Sequence, residues 1–338
     1  MFRSSILNFE SLQGFQPRIP ATLLAVVALI AALELVVRVW PERSLIPAQS
    51  RQGEIFFMED EVLSKFKAPQ IIFLGSSRIR RAIVPKQLDR QLGLPGGSTI
   101  NLGLAMARVY ESLYLYERNQ EQLKHAKIVV LNVDEWHLST GPKMSNTLYE
   151  THAPLLERLR FPDEQRTRLF LDGLLNMRLK LRLVPAAILR RKHDKQALKL
   201  NDDNQVLPPA RAEKLASYND QIDMFYDKFN VHEVMLSHIE RLAELVRANG
   251  GKFVLMQLPN RASYQAEVER THGAEFIREH DALEALVKKI GVPLHFYRAP
   301  EELGLSDSMY EDYGHIKPDG AKIVTEKVGA WIAKELAQ

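Results

Sequence analysis

"QIIFLGSSRIRR", residues 70–81, sets four apolar residues, Ile71 to Leu74, against a glycine and then lays down two serines and an arginine. A short continuous apolar run bounded by a turn residue reads as a strand buried on both faces. Working outward, "STINLG" (98–103), "KIVVLNVD" (127–134), "GKFVLMQLP" (251–259) and "VPLHFY" (292–297) read as further strands. Between and after them, "PKQLDRQLG" (85–93), "ARVYESLYLYERNQEQLKHA" (107–126), "GAEFIREHDALEALVKKI" (273–290) and "GAKIVTEKVGAWIAKELA" (320–337) carry helical patterning. Strand and helix in alternation imply an α/β fold whose mostly parallel sheet is covered on both faces.

Residues 139–235 interrupt the alternation without strand patterning and read as a helical insertion on one sheet domain spanning 67–338. Within it, "MRLKLRLVPAAILRRKHDKQALK" (177–199) mixes basic residues with leucines, either as a solvated face or as a surface for anionic headgroups or an acidic partner. Residues 41–66, beginning "PERSLIPAQSRQGE", read as a tether, and 1–18 as an N-terminal tail. The intervening "IPATLLAVVALIAALELVVRVW" (19–40) is apolar except for Thr22, Glu34 and Arg38, and about 20 such residues as a helix span a bilayer core. No small-x-small cleavage site follows it, so it is expected to remain as an anchor. Glu34 and Arg38, four apart, share a helix face and are placed to pair near the membrane boundary. Arginines stand on both sides of the span, so positive charge does not fix its orientation.

The 338 residues carry a formal charge of +3, which does not point to nucleic acid. The absence of cysteine excludes disulfides, thiolate metal sites and a cysteine nucleophile. Neither a Walker loop, nor a dinucleotide glycine pattern, nor a histidine pair at zinc-ligand spacing occurs.

In an open α/β sheet, ligands bind outside the carboxyl ends of the strands, which is where Gly75, Ser76 and Ser77 fall. A serine there caps the next helix as readily as it attacks a substrate. The partner that would make it a nucleophile lies near the other end, in "MYEDYGHIKPDGAKIVTEKV" (309–328), where Asp312 and His315 are three apart. A serine hydroxyl needs an imidazole to take its proton, and a carboxylate to hold the imidazole's other nitrogen.

In these two blocks the chain resembles the SGNH (GDSL-type) hydrolases. Their first block places a serine third in a Gly-Asp-Ser-Leu-like tetrad, matched here by Gly75, Ser76, Ser77 and Arg78, and their last is an Asp-x-x-His, matched by Asp312 and His315. The resemblance covers about 68–138 and 250–338. It implies a flavodoxin-like three-layer sandwich with Ser77 as nucleophile, His315 as general base and Asp312 as the residue orienting it. Ser76, where the family usually has aspartate, is expected to support the turn.

The middle blocks depart from the pattern. The second runs from an asparagine to a glycine whose amide serves the oxyanion hole; "NLGLAMAR" (101–108) supplies Asn101, but Ala105 or Met106 occupies the glycine position. The third normally supplies an asparagine to the same hole, and "LNVDEWHL" (131–138) has Asp134 there instead. An ionised carboxylate repels a developing oxyanion. Either the amides of Ser77 and residue 105 or 106 form the hole, or Asp134 is protonated, or Asp134 caps the segment after its strand. Arg78 stands either as a binder of an anionic substrate group or as an ion-pair partner.

An anchor combined with a Gly-Ser-Ser start is similar to envelope proteins that work beside a membrane-bound O-acyltransferase. The resemblance implies an extracytoplasmic (periplasmic) esterase or acyltransferase acting on an acylated cell-envelope glycan, without metal or organic cofactor. The alternative is a non-catalytic SGNH-shaped subunit that docks a polysaccharide or that membrane partner.

Overall fold

The computed structural model describes residues 20–39, 53–139, 154–160, 167, 170–171, 198–207, 218–226 and 229–337. Five parallel strands, β1 (Ile71–Leu74), β2 (Thr99–Asn101), β3 (Ile128–Asn132), β6 (Lys252–Gln257) and β7 (Leu294–Phe296), form one sheet in the order β2-β1-β3-β6-β7. Register runs Ile71 beside Thr99 and Ile128, and Ile128 beside Lys252. Counting only these strands, the order is 2-1-3-4-5, that of a flavodoxin-like doubly wound sheet. The expected α/β class and parallel sheet are both present.

The apolar runs behave as their pattern requires. Ile72, Leu74, Val129, Leu131, Phe253 and Leu255 enter one buried cluster, while Ile71, Phe73, Ile128, Val130, Val254 and Met256 enter another on the opposite face. Alternate side chains of each central strand therefore leave water in opposite directions, each large one contributing about 1.5–3 kcal/mol on burial.

Among the described residues the α-helices are, in chain order, α1 (Ala21–Val39), α2 (Glu54–Phe57), α3 (Ser77–Ala82), α4 (Pro85–Gln91), α5 (Val109–Arg118), α6 (Gln120–Leu123), α7 (Leu155–Arg158), α8 (Tyr218–Tyr226), α9 (Glu233–Ala248), α10 (Ala262–Ile290) and α11 (Pro318–Ala337). One face of the sheet carries α2, α5, α9 and the C-terminal part of α10; the other carries α3, α4 and α11. The segment read as a single helix over 107–126 divides at Asn119, the residue between α5 and α6. The helix read over 273–290 is preceded by a helical segment from Ala262, the two joined in α10 across a kink at His272, next to Gly273.

Two expectations are corrected. The tether expected over 41–66 does not extend to its proposed end, because Glu54–Phe57 is helical and continues into a π-helical stretch, Met58–Leu63. Ile55, Phe56, Met58, Val62 and Leu63 are buried in the core, since an apolar set this dense gains more from the sheet than from water. The insertion read as strand-free contains a small antiparallel hairpin, β4 (Lys199–Leu200) with β5 (Val206–Leu207), closed by a turn in which Asn204 takes a positive φ of 58°. The basic leucine-rich stretch falls mostly outside the described residues, as do the N-terminal tail, residues 40–52 and the side chain of Arg38.

Candidate active site

The carboxyl end of β1 turns sharply. Gly75 has φ 135°, and a Cβ there would lie 2.8 Å from the Asn132 carbonyl oxygen, so only glycine lets β1 pass this close to β3. Ser76 then caps α3: its Oγ accepts from the Arg78 N–H at 3.1 Å and donates to the Asp134 carboxylate. Ser77 is thereby placed in the first turn of α3, whose leading amides have no partner within the helix.

Ser77 Oγ lies 2.8 Å from His315 Nε2, and His315 Nδ1 lies 2.6 Å from Asp312 Oδ2. The other Asp312 oxygen accepts from the backbone N–H groups of Gly314 (3.0 Å) and His315 (2.8 Å), an Asx-type turn that aims the carboxylate at the imidazole. The turn is held at its base by a bridge between Tyr310 and Ile316, and from the side by the Arg261 N–H, which donates to Tyr313 O at 2.7 Å. Residues 235 and 238 positions apart in the chain thus meet in one hydrogen-bonded line.

Burial pushes the Asp312 carboxyl upward, but the His315 side chain and the two backbone donors outweigh it and bring the group to about 2. The folded value lies below the ordinary aspartate value of about 3.9, so the contribution is fully present above about pH 4 and is lost as pH falls towards 2. It amounts to about 2 kcal/mol, and Asp312→Asn should remove that part of the acid dependence of unfolding measured between pH 5 and 2.

Beneath the triad lies a buried ionic network. Arg78, only 1% exposed, donates to Glu135 Oε2 (2.9 Å) and to the carbonyls of Leu258 (2.9 Å) and Pro259 (3.0 Å), and stands 3.2 Å from Asp134 Oδ1. Burial works against its charge, and Glu135 and Asp134 overcome that cost and raise its pKa. Asp134 Oδ1 also accepts from Asn132 Nδ2 at 2.7 Å, and Asn260 Nδ2 donates to Glu135. Arg78 therefore does not face a substrate; it supports the histidine loop, for a Cβ on Gly314 would lie 2.8 Å from its Nε.

The remaining expected residues divide. Asn101 is 2% exposed and braces two turns, its Nδ2 donating to Ile79 O (2.8 Å) and its Oδ1 accepting from Gly103 N–H (3.2 Å), so it does not line the site. Ala105 N–H donates to Glu54 Oε2 at 2.6 Å, which corrects its reading as an oxyanion donor. Met106 has a positive φ of 53°, the conformation a glycine adopts freely and other residues hold at a cost of about 1–2 kcal/mol. Of the two alternatives, Met106 is the one with a positive φ.

Asp134 neither caps a helix nor points outward. Its carboxylate meets Ser76, Asn132 and Arg78, while its N–H donates to His137 Nδ1 at 2.9 Å. That bond leaves the His137 proton on Nε2, which donates to Ala107 O at 2.5 Å, and burial keeps this imidazole neutral by lowering its pKa. Glu54 was missed in the sequence because it lay in what reads as a polar tether.

No family model matches the chain, and no curated protein does. Among solved structures, a candidate acylhydrolase from Bacteroides fragilis is similar over 83% of this chain and 97% of its own, with a TM-score of 0.42 and 11% identity. A candidate SGNH hydrolase from Slackia heliotrinireducens is similar over 80% and 99%, with a TM-score of 0.41 and 15% identity. A GDSL-like lipase from Bacteroides thetaiotaomicron is similar over 83% and 98%, with a TM-score of 0.38 and 13% identity.

Proposed function

We propose that the protein is a membrane-anchored serine esterase or O-acyltransferase that works on acyl esters of a cell-envelope glycan through an acyl-serine intermediate. The observation that carries this reading is the unbroken line from Ser77 Oγ through His315 to Asp312. His315 Nε2 takes the Ser77 proton as Oγ attacks the ester carbonyl, and the charged imidazolium is held by Asp312. The carbonyl oxygen, now an oxyanion, is met by the Ser77 and Met106 amides. Collapse expels the alcohol, protonated by His315, and leaves the acyl group on Ser77. Water or a sugar hydroxyl then gives its proton to His315 and takes the acyl group, and His315 returns that proton to the departing Ser77 Oγ.

Asp134 is the feature that favours a non-catalytic subunit instead. Its carboxylate oxygens are turned to Ser76, Asn132 and Arg78, and the Arg78 guanidinium offsets its charge, so it need not oppose an oxyanion.

No helix among the described residues is long and apolar enough to cross a membrane. The 19-residue α1 is about 28 Å long at 1.5 Å per residue, and Ile19 and Trp40, which complete the apolar stretch, lie outside the described residues. Anchoring through 19–40 is supported by exposed apolar side chains on every side of α1, among them Leu24, Val27, Leu29 and Leu35. The full chain should therefore stay with the membrane pellet through alkaline carbonate extraction; release into the supernatant would overturn the anchor.

The chemistry is tested by treating the detergent-solubilised full chain with a fluorophosphonate and mapping the adduct by peptide mass spectrometry. Modification of Ser77 is expected. Absence of any adduct, combined with no turnover of a short-chain aryl ester, would sink the esterase reading, and an adduct on Ser76 would move the nucleophile. Release of the acyl group to a glycan fragment in preference to water would favour transfer over hydrolysis.

A further inference from the structure

Glu54 is 7% exposed and stands at the start of α2. Its Oε2 does two things at once: it accepts from Ala105 N–H at 2.6 Å and pairs with Arg80 Nη1 at 2.9 Å. Ala105 directly precedes Met106, and Arg80 lies three residues after Ser77 on α3. One carboxylate therefore ties the helix of the nucleophile to the loop that carries the second oxyanion donor.

The loop around Met106 is fixed from both ends. Leu104 N–H donates to Gly75 O at 2.9 Å, and Ala105 N–H is held by Glu54. On the other side Ala107 O accepts from His137, while Arg108 N–H donates to Glu111 Oε2 at 2.9 Å. A left-handed residue other than glycine persists only where its surroundings over-determine it. The clamp on the Ala105 amide, directly before Met106, is a carboxylate, and hydrogen bonds to an ionised acceptor are about twice as strong as neutral ones.

We propose that Glu54 is a positioning residue for the oxyanion hole, holding the Ala105 amide so that the Met106 N–H keeps its aim at the substrate carbonyl oxygen. The inference rests on the esterase reading. Glu54 does not touch the substrate; it acts through the Ala105–Met106 peptide, and a donor displaced from the oxyanion loses its effect on the transition state while leaving ground-state binding in place.

The test compares wild type with Glu54→Ala, Glu54→Gln and Glu54→Asp, using the full chain in detergent. It follows steady-state hydrolysis of an aryl acetate, the rate of fluorophosphonate labelling and thermal unfolding. Glu54→Ala is expected to lower kcat and the labelling rate by on the order of 10- to 100-fold with KM within about twofold. Glu54→Gln keeps an oxygen acceptor at the same reach and is expected to recover to within about fivefold of wild type, while the shorter Glu54→Asp stays low. Folded Glu54→Ala with wild-type kcat would overturn the proposal, as would equal loss of kcat in the glutamine and aspartate variants. Should Glu54→Ala not fold, the glutamine and aspartate variants decide by the same criterion. A wild type that does not label brings down the esterase reading itself, whereas a labelled wild type with unaltered Glu54 variants brings down only this inference.

Discussion

Ser77→Ala, His315→Ala and the double variant are expected to lose nearly the same activity, each by on the order of 10⁴- to 10⁶-fold in kcat on an aryl ester. The Ser77–His315 contact is 2.8 Å, and neither partner does useful chemistry alone: the hydroxyl without a base is a weak nucleophile, and the imidazole without the hydroxyl has no proton to take. Removing the second group after the first therefore costs little more. The measurement is a thermodynamic cycle on kcat with folding checked by circular dichroism. Losses that multiply in the double variant would show that the two act independently, against the geometry. Asp312→Asn should cost on the order of 10³- to 10⁴-fold, because the amide favours the wrong imidazole tautomer.

Arg78→Met is expected to destabilise the domain by about 3–5 kcal/mol, measured by urea unfolding in detergent. The guanidinium compensates Asp134 and Glu135, both essentially without exposure, and satisfies the Leu258 and Pro259 carbonyls. Methionine fills much of the volume but leaves the acidic groups without a counter-charge in a medium that solvates them poorly. Arg78→Lys should recover part of the loss, since it restores the charge but not the fork that reaches Glu135 and the two carbonyls together. The folded fraction of Arg78→Met should also turn over more slowly, because the Arg78 side chain packs directly under Gly314, next to His315. A change below about 1 kcal/mol would mean that the network relaxes or admits water around the acidic pair.

How the site was legible differs from residue to residue. Ser77, Asp312 and His315 are legible through the resemblance of two short blocks, Gly75–Arg78 and Asp312–His315, each a local stretch of the chain. Ser76, whose position implies support of the turn, caps α3. Arg78, Asn101, Ala105 and Asp134 carried the right residue types for a site, yet three of them are braces or buried charges and the amide of the fourth is occupied. Which way a side chain turns depends on what packs against it: Arg78 meets Glu135 and Leu258, Asn101 meets Ile79, Ala105 meets Glu54, and Asp134 meets Ser76 and Arg78, all of them distant in sequence.

The sequence by itself determined the parallel α/β sheet, because buried strands and amphipathic helices advertise themselves through the period of their apolar residues. It also placed a serine pair after a buried strand and an Asp-x-x-His before the last helix, which the resemblance reads as nucleophile and acid–base partners. Only the tertiary structure decided that residues 54–63 belong to the core, that Arg78 holds up the histidine loop from beneath, and that Asp134 points at Ser76. Those are outcomes of long-range packing, in which a charged or polar side chain goes wherever its desolvation is compensated, and no local pattern records that address.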